Sequence, residues 1–583
     1  MIKKKPSRTK LRIHSPFLKK IFKGIPDVFP GQSFAAKIIE IPQPYHALYH
    51  CRHELESAND KLTPGSEPAT HLSVLLDFIS TTFAESIEAS KNALEQNTIA
   101  FEHLWTLFRP GCIVLSRTAD TLRAFRLMDY SYSGCVFDLQ LSMVDFDGTK
   151  FGTRDARRAI RAYAGDAPIT SLSSVPIELL PDQDSLRTQL IERGRRFEGF
   201  AGIHCAHHKG IGCEISGTFD QYYVEGRVMV DTKTAHRLKG NARFSVSSFD
   251  SSEASEDSIS IPALDVSYTG LGDSNSDVFY EDQQQTVVHR SKTKNAQLTD
   301  DQCMLANDSV KAFSLDEKRW FELDIDKLSE VNWNLQCFDQ LVLPSESKDL
   351  IRALVVTHTA KRNHDDFDDI IKGKGKGLIF VLHGPPGVGK TLTAETVAEY
   401  TKRPLYVISS GDLGTDSTHL EKSLSRALDL ATTWKAVLLI DEADVFLERR
   451  ESRDVKRNAL VSIFLRVLEY YQGILFLTSN RVRYFDDAFK SRIHVPLQFK
   501  ALDAASRRRI WKVFLARADG QHQLHEDDFE SLAQQDLNGR QIKSIVRATS
   551  SLARFHGRDL DISQLQQVIN IQKDFDKALD GGQ

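Results

Sequence analysis

The chain is expected to fold as a parallel α/β sheet flanked by helices, followed by a helical lid and preceded by a mixed α+β module. Three observations predict this. From residue 335, apolar runs such as GLIFVL, AVLLI and GILFL alternate with amphipathic helical stretches, the pattern of a buried parallel sheet. The first of these runs leads through a glycine-rich loop into a helix. Upstream, residues 245–310 (SVSSFDSSEASEDSIS, GLGDSNSDVFYEDQQQ) are polar, acidic and without periodicity, and they separate two regularly patterned halves.

The first half covers residues 1–244. Its start, MIKKKPSRTKLRIHSPFLKKIFKGI, is basic and has no acid before Asp27. It reads as a solvated arm leading into a helix, with a presequence or nuclear address as the alternatives. HLSVLLDFISTTFAESIEASKNAL places apolar side chains three and four residues apart and predicts helix across 70–108. After RPG, CIVLSRT, LRAFRLMD and GCVFDLQLSMVDFDG predict strands. A helix around SLRTQLIERGRRF precedes GRVMVD. IHCAHHKGIGC holds His204, Cys205, His207, His208 and Cys213, but the spacing fits no zinc pattern and reads as strand and turn.

Residues 245–310 cannot bury enough apolar area to offset their ordering entropy and are expected to form a disordered linker. A lead-in (311–334) then reaches the α/β core (335–500). ASRRRIWKVFLARA and GRQIKSIVRATSSLARF mark the helical lid and tail (501–583).

Composition narrows the function classes. A net charge of -4 gives no general pull toward nucleic acid or anionic membrane. Seven cysteines, an odd number without paired spacing, favour a reducing compartment, cytoplasm or nucleus. The longest apolar runs fall well short of the roughly 20 residues a membrane-spanning helix needs.

The chemistry concentrates in three places. In GLIFVLHGPPGVGKTLTAETVAEY, the loop Gly384, Pro385, Pro386, Gly387, Val388 and Gly389 can turn its N–H groups toward phosphate oxygens. Lys390 reaches the β- and γ-phosphates, and Thr391 offers a hydroxyl to Mg²⁺. ATP and Mg²⁺ are therefore the expected cofactors. In AVLLIDEADVFLERR, Asp441 ends a buried strand where it can complete the Mg²⁺ shell, and Glu442 is placed to activate water as general base. In GILFLTSN, Asn480 ends another strand. It can orient that water if its strand lies between the other two.

GPPGVGKT, LLIDEAD, LTSN, FDDAFKSRI and NGRQI follow one another in the order and spacing of AAA+ ATPases, which this chain resembles over about 335–575. SPFLKKIF, TIAFEHLWTLFRPG, DFDGTKFG, PITSL and GRVMVD make it similar to filamentous-fungal AAA ATPases with an amino-terminal module of unknown function. The resemblance implies the AAA+ P-loop NTPase fold. It also implies a homo-oligomeric ring, usually a hexamer, with nucleotide at the subunit interfaces. On it, Arg492 matches the arginine finger that reaches a neighbour's nucleotide, and Arg540 matches a lid arginine acting on its own subunit's γ-phosphate.

One departure stands out. The segment VISSGDLGTDSTHLEKSL has no aromatic between Tyr406 and Trp434, where ring translocases carry a substrate-gripping step. Remodelling of a protein partner through the amino-terminal module is therefore expected over threading. The alternative is a nucleotide-gated assembly scaffold with slow, timer-like hydrolysis. The basic cluster Arg449, Arg450, Arg453, Lys456 and Arg457 reads as a solvated loop, and Asp369 to Ile371 lie where a backbone contact to adenine is expected.

Overall fold

A computed structural model describes residues 9–25, 28–30, 33–118, 121–216, 220–249, 297–359, 377–414, 416–449, 455–480, 487–518 and 524–580. Most of the expected linker (250–296), Asp369 to Ile371, and Arg450 and Arg453 of the basic cluster lie outside them.

Among the described residues, three five-stranded sheets organise the fold. Helices α1 (Glu67–Thr82) and α2 (Ala84–Gln96) pack on the first. It comprises β1 (Ile113–Thr118), β2 (Thr121–Ser133), β3 (Val136–Phe146), β4 (Phe151–Arg161) and β5 (Ser174–Pro176). The sheet is antiparallel, in the order β4-β3-β2-β1-β5. Leu72, Leu75 and Ile79, one stripe of α1, meet Phe125, Leu127, Phe137 and Leu139 in its core.

The second sheet begins after α3 (Gln183–Gly199) with the long hairpin β6 (Ile203–Glu214) and β7 (Gln221–Asp231), followed by α4 (Thr232–Leu238). It is completed by α5 (Asp300–Met304), β8 (Ser309–Ser314), β9 (Arg319–Asp324) and β10 (Leu328–Ser329). Strand β6 pairs with β7, β7 with β8, β8 with β9 and β9 again with β6, so four strands close into a small barrel. Ala206, Val228, Ala312, Phe321 and Leu323 contribute to its core.

The expected boundaries are corrected here. Residues 297–310 are not linker, and 311–334 are not merely a lead-in: together they supply the helix and strands that finish the barrel. The physical reason is a short apolar set, Leu298, Cys303, Met304 and Leu305, buried against the first sheet and α3. Arg195 fastens the segment through the Leu298 carbonyl and Asp300, both at 2.6 Å.

The first module holds a pair of imidazoles, His50 buried and His46 half-buried. His50 Nε2 lies 3.1 Å from the Tyr130 hydroxyl, which lies 3.2 Å from His46 Nδ1. The His46 ring stacks on Trp105 at 3.9 Å. Burial lowers His46 to about 4. Burial first, then His46, Arg109 and Arg52, lowers His50 to about 3. Both values lie below the ordinary 6.5, so near pH 7.5 folded and unfolded chains are alike neutral and no stability is at stake. Below pH 6.5 the unfolded chain takes up protons that the folded module refuses, and stability falls as pH drops toward 4 and 3. At pH 5 the two imidazoles together are expected to cost about 4 kcal/mol. Denaturant midpoints at pH 7.5, 6 and 5 should show this slope, and His50→Gln should flatten part of it.

The third sheet is wholly parallel: β11 (Leu378–His383), β12 (Leu405–Ser409), β13 (Val437–Asp441), β14 (Ile474–Ser479) and β15 (Val495–Gln498), in the order β12-β13-β14-β11-β15. Helices α6 (Lys390–Tyr400) and α7 (Ser417–Thr433) connect its strands. The lid is α8 (Ala504–Ala516), α9 (Glu526–Ala533), α10 (Gly539–His556) and α11 (Ile562–Asp580), around Trp511, Phe529, Ile542 and Leu565.

The barrel and the parallel sheet share one core. Met229, Ala235, Phe313 and Trp320 of the barrel side pack with Tyr406, Leu424 and Trp434. The Phe313 ring lies 5.2 Å from Trp434 and 5.8 Å from Tyr406. The buried Asp231 carboxylate accepts the Trp434 indole N–H at 3.0 Å and caps α4 through Thr234 N at 2.9 Å. Ion pairs Arg227–Glu399, Arg237–Asp429 and Lys318–Asp412 flank this contact. The barrel is thus packed onto the parallel-sheet half by a shared aromatic core. No helix among the described residues is long and apolar enough to cross a membrane.

Candidate nucleotide site

The site forms where β11, buried over most of its length, gives way to the loop and α6. Gly387 has φ +74, and a Cβ there would stand 2.5 Å from Asn538 Oδ1. Gly389, at φ +98, is the N-cap of α6 and brings no side-chain cap. The first N–H groups of α6 are therefore open to an anion, with the positive end of the helix behind them.

Lys390 is 8% exposed. Its ammonium donates to the carbonyls of Gly384 (2.8 Å) and Pro385 (2.7 Å) and to Asn480 Oδ1 (2.8 Å). Burial lowers its pKa, Asp441 and Asp444 oppose this, and Arg540 of the lid adds to it. The Thr391 hydroxyl lies 3.2 and 3.4 Å from the two Asp441 oxygens. A hydroxyl and a carboxylate side by side are the hard oxygen donors that Mg²⁺ takes, so this pair fits that ion.

Strand β14 lies between β11 and β13, the placement that the expected role of Asn480 requires. Asp441 is the last residue of β13. Glu442 follows at φ +54, a left-handed backbone that costs a side-chain-bearing residue about 1–3 kcal/mol unless its surroundings hold it. Thr478 of β14 holds it: its hydroxyl accepts the Glu442 N–H at 2.9 Å and donates to Asp441. Asp444 accepts from the Ser479 hydroxyl at 2.5 Å and from the Asn480 N–H at 3.2 Å.

The lid sits on the loop. Asn538 caps α10 in a capping box with Gln541, and Gly539 N donates to the Gly387 carbonyl at 2.9 Å. This brings Arg540 to the same site as Lys390. Arg492 is placed differently. It donates to the Ala488 carbonyl at 3.0 Å and faces Glu469 at 3.6 Å. The structure thus forms two hydrogen-bonded pairs at the start of α6, Lys390 with Asn480 and Thr391 with Asp441, with exposed Glu442 beside Asp441 and Arg540 near enough to act on the Lys390 charge. Arg492 makes its contacts elsewhere.

Sequence reasoning passed over Thr478, Ser479, Asp444, Asn538 and Gly539. Thr478, Ser479 and Asp444 sit inside quoted runs (LTSN, IDEAD), but their partnership joins the end of β14 to the end of β13 and the turn after it, which lie apart in sequence. His204 to Cys213 run along β6, as strand, with buried His208 Nδ1 against the Val224 carbonyl at 2.9 Å.

Residues 380–501 match the family described as "ATPase family associated with various cellular activities (AAA)", and residues 89–181 match a domain of unknown function, DUF7025. ATPase family AAA domain-containing protein 3B of Homo sapiens is 27% identical over 234 residues, 37% of this chain and 35% of that protein. ATPase family AAA domain-containing protein FIGL1 of Arabidopsis thaliana is 29% identical over 236 residues, 36% of this chain and 33% of that protein. The chain spans about a third of the length of these two relatives. Among solved structures, the crystal structure of the FIGL-1 AAA domain in complex with ADP aligns with 42% of this chain and 86% of that chain, at 21% identity and a TM-score of 0.33.

Proposed function

We propose that this chain, which carries an AAA ATPase domain, hydrolyses ATP to ADP and phosphate with Mg²⁺, in a homo-oligomeric ring that remodels a protein partner. One observation carries the reading. Lys390 and Asn480 share a hydrogen bond at the open end of α6, beside the Thr391–Asp441 oxygen pair.

The residues divide the work. Lys390 exchanges the carbonyls it now holds for β- and γ-phosphate oxygens, while the loop and the first N–H groups of α6 take the rest. Thr391 and Asp441 would hold Mg²⁺, which when bound neutralises charge on the phosphates. Asn480 orients the attacking water and Glu442 takes its proton. Arg540 contacts the γ-phosphate from the lid of the same subunit. Arg492 reaches the nucleotide of a neighbouring subunit, and this is what calls for a ring, a hexamer in the family that the chain resembles.

The free cysteines support a reducing compartment, cytoplasm or nucleus. The amino-terminal half, which resembles the module of filamentous-fungal AAA proteins, is the surface proposed to meet the partner. A second reading, a nucleotide-gated scaffold with slow hydrolysis, is favoured by the barrel's packing onto the ATPase half, where Lys318 pairs with Asp412 in the segment after β12. Partner-stimulated turnover would favour the motor, and its absence the scaffold.

Lys390→Ala tests the nucleotide reading. It is expected to weaken binding of a fluorescent ATP analogue at least tenfold and to abolish phosphate release. Unchanged binding would contradict the assignment.

A further inference from the structure

We propose that Thr478 is a positioning residue for hydrolysis, holding Asp441 and Glu442 in working geometry; this rests on the roles given to those two acids above. Thr478 is 2% exposed, near the end of β14, and has no place in the phosphate or metal set. Its single hydroxyl both donates and accepts. The proton goes to Asp441 Oδ1, and a lone pair accepts the Glu442 N–H at 2.9 Å. Its carbonyl then accepts the Ala443 N–H at 2.9 Å. One residue therefore ties three consecutive residues of the turn that leaves β13.

The need for such a tie is visible in the backbone. Glu442 bears a side chain yet sits at φ +54, a region that relaxes to ordinary values when nothing holds it. Without the Thr478 hydroxyl, the Glu442 N–H loses its acceptor and Asp441 Oδ1 loses a donor. The turn can then relax, carrying the Glu442 carboxylate away from the water it must deprotonate. Thr391, on the far side of Asp441, would meet a carboxylate free to rotate.

The same strand end is secured a second time. Asp444, two residues past Glu442, takes the Ser479 hydroxyl and the Asn480 N–H. Thr478 thus fixes the acids to β14, while Asp444 fixes Asn480 to the turn after β13. Together they hold the water-orienting amide and the general base in one register.

Valine matches threonine in shape and lacks the hydroxyl; serine keeps the hydroxyl and lacks the methyl group. In the full-length chain, Thr478→Val is expected to lower kcat about 10- to 100-fold, the scale on which small displacements act. Its affinity for a fluorescent ATP analogue without Mg²⁺ should stay within about threefold, because Lys390 and the loop are untouched. The Mg²⁺ concentration that half-saturates the metal-dependent part of analogue binding should rise, which reads Asp441 without any turnover. Thr478→Ser should restore both. If Thr478→Val loses its melting transition, Thr478→Ala takes its place with the same expectation.

A valine (or alanine) variant with wild-type kcat and Mg²⁺ response overturns the proposal, as does a serine variant as impaired as the valine one. Glu442→Gln, measured alongside, separates the two levels. If it is inactive while Thr478→Val is normal, only the positioning role fails. If Glu442→Gln itself turns over normally, the reading of the base fails first.

Discussion

Replacing Glu442 by Gln is expected to stop hydrolysis and leave nucleotide binding in place. Glutamine has the same size and reach but cannot take a proton from water. The Glu442 side chain stands at the rim of the site, and its backbone N–H, not its carboxylate, is engaged by Thr478. The substitution therefore leaves the turn and its ties to β14 as they are. Lys390, Thr391 and the open end of α6 are also untouched. A positioned general base contributes about 10²- to 10⁴-fold, or about 3–5 kcal/mol of barrier. Phosphate release should fall by that factor while analogue affinity moves by less than about threefold. Such a variant would accumulate the ATP-bound state. Unimpaired release would mean that the water is activated by another group.

Arg492→Ala is expected to cost as much or more. The Arg492 side chain is only about a quarter exposed, at 27%, and its Nε is buried without a hydrogen-bond partner among the described residues. Its contacts, the Ala488 carbonyl and Glu469, belong to the segment before β15 and to the turn before β14, and none of them is a residue of the nucleotide site. A part-exposed ion pair at 3.6 Å contributes little to stability. Loss of Arg492 should therefore leave the fold intact.

As a finger acting across an interface, Arg492 would stabilise charge spread over the transferring phosphoryl group. Such fingers contribute roughly 10³- to 10⁵-fold, or about 4–7 kcal/mol. Arg492→Lys should recover little, because an ammonium lacks the planar fork. ATP affinity should remain, since each subunit keeps its own Lys390. A kcat loss below about threefold would return Arg492 to the ordinary surface arginines.

The nucleotide half was legible because its chemistry is written in local order. Strand, glycine loop and helix are contiguous in residues 378–400, and Asp441 and Asn480 each close an apolar run. The position of β14 between β11 and β13 could be stated as a requirement but not deduced, since strand order is a tertiary property. Thr478 was invisible for the same reason: its side-chain partners are Asp441, the last residue of the neighbouring strand, and Glu442 in the turn after it.

The amino-terminal half was half legible. Strands β1 to β3 followed from apolar runs and alternation, whereas β4 and β5 did not, and closure of the barrel joins β7 to β8 across residues 232–308, an interval whose long polar stretch reads as a boundary. Leu298, Cys303, Met304 and Leu305 are too few, among polar neighbours, to announce a packed segment. A cut after residue 310, suggested by the sequence, would divide β8 itself. The shared core of Phe313, Trp320 and Trp434 has no periodic signature either, because each ring comes from a different element.

The measurement that tests the account most directly is the ATPase rate per subunit of Arg492→Ala, Glu442→Gln and an equimolar mixture of the two, each over a range of protein concentrations. In a mixed ring some interfaces pair an intact Glu442 with an intact Arg492 from its neighbour. The account predicts two nearly inactive variants whose mixture recovers activity, and a wild-type rate per subunit that rises with concentration. A wild-type rate that is flat with concentration, together with a mixture no more active than its parts, would contradict catalysis across a subunit interface.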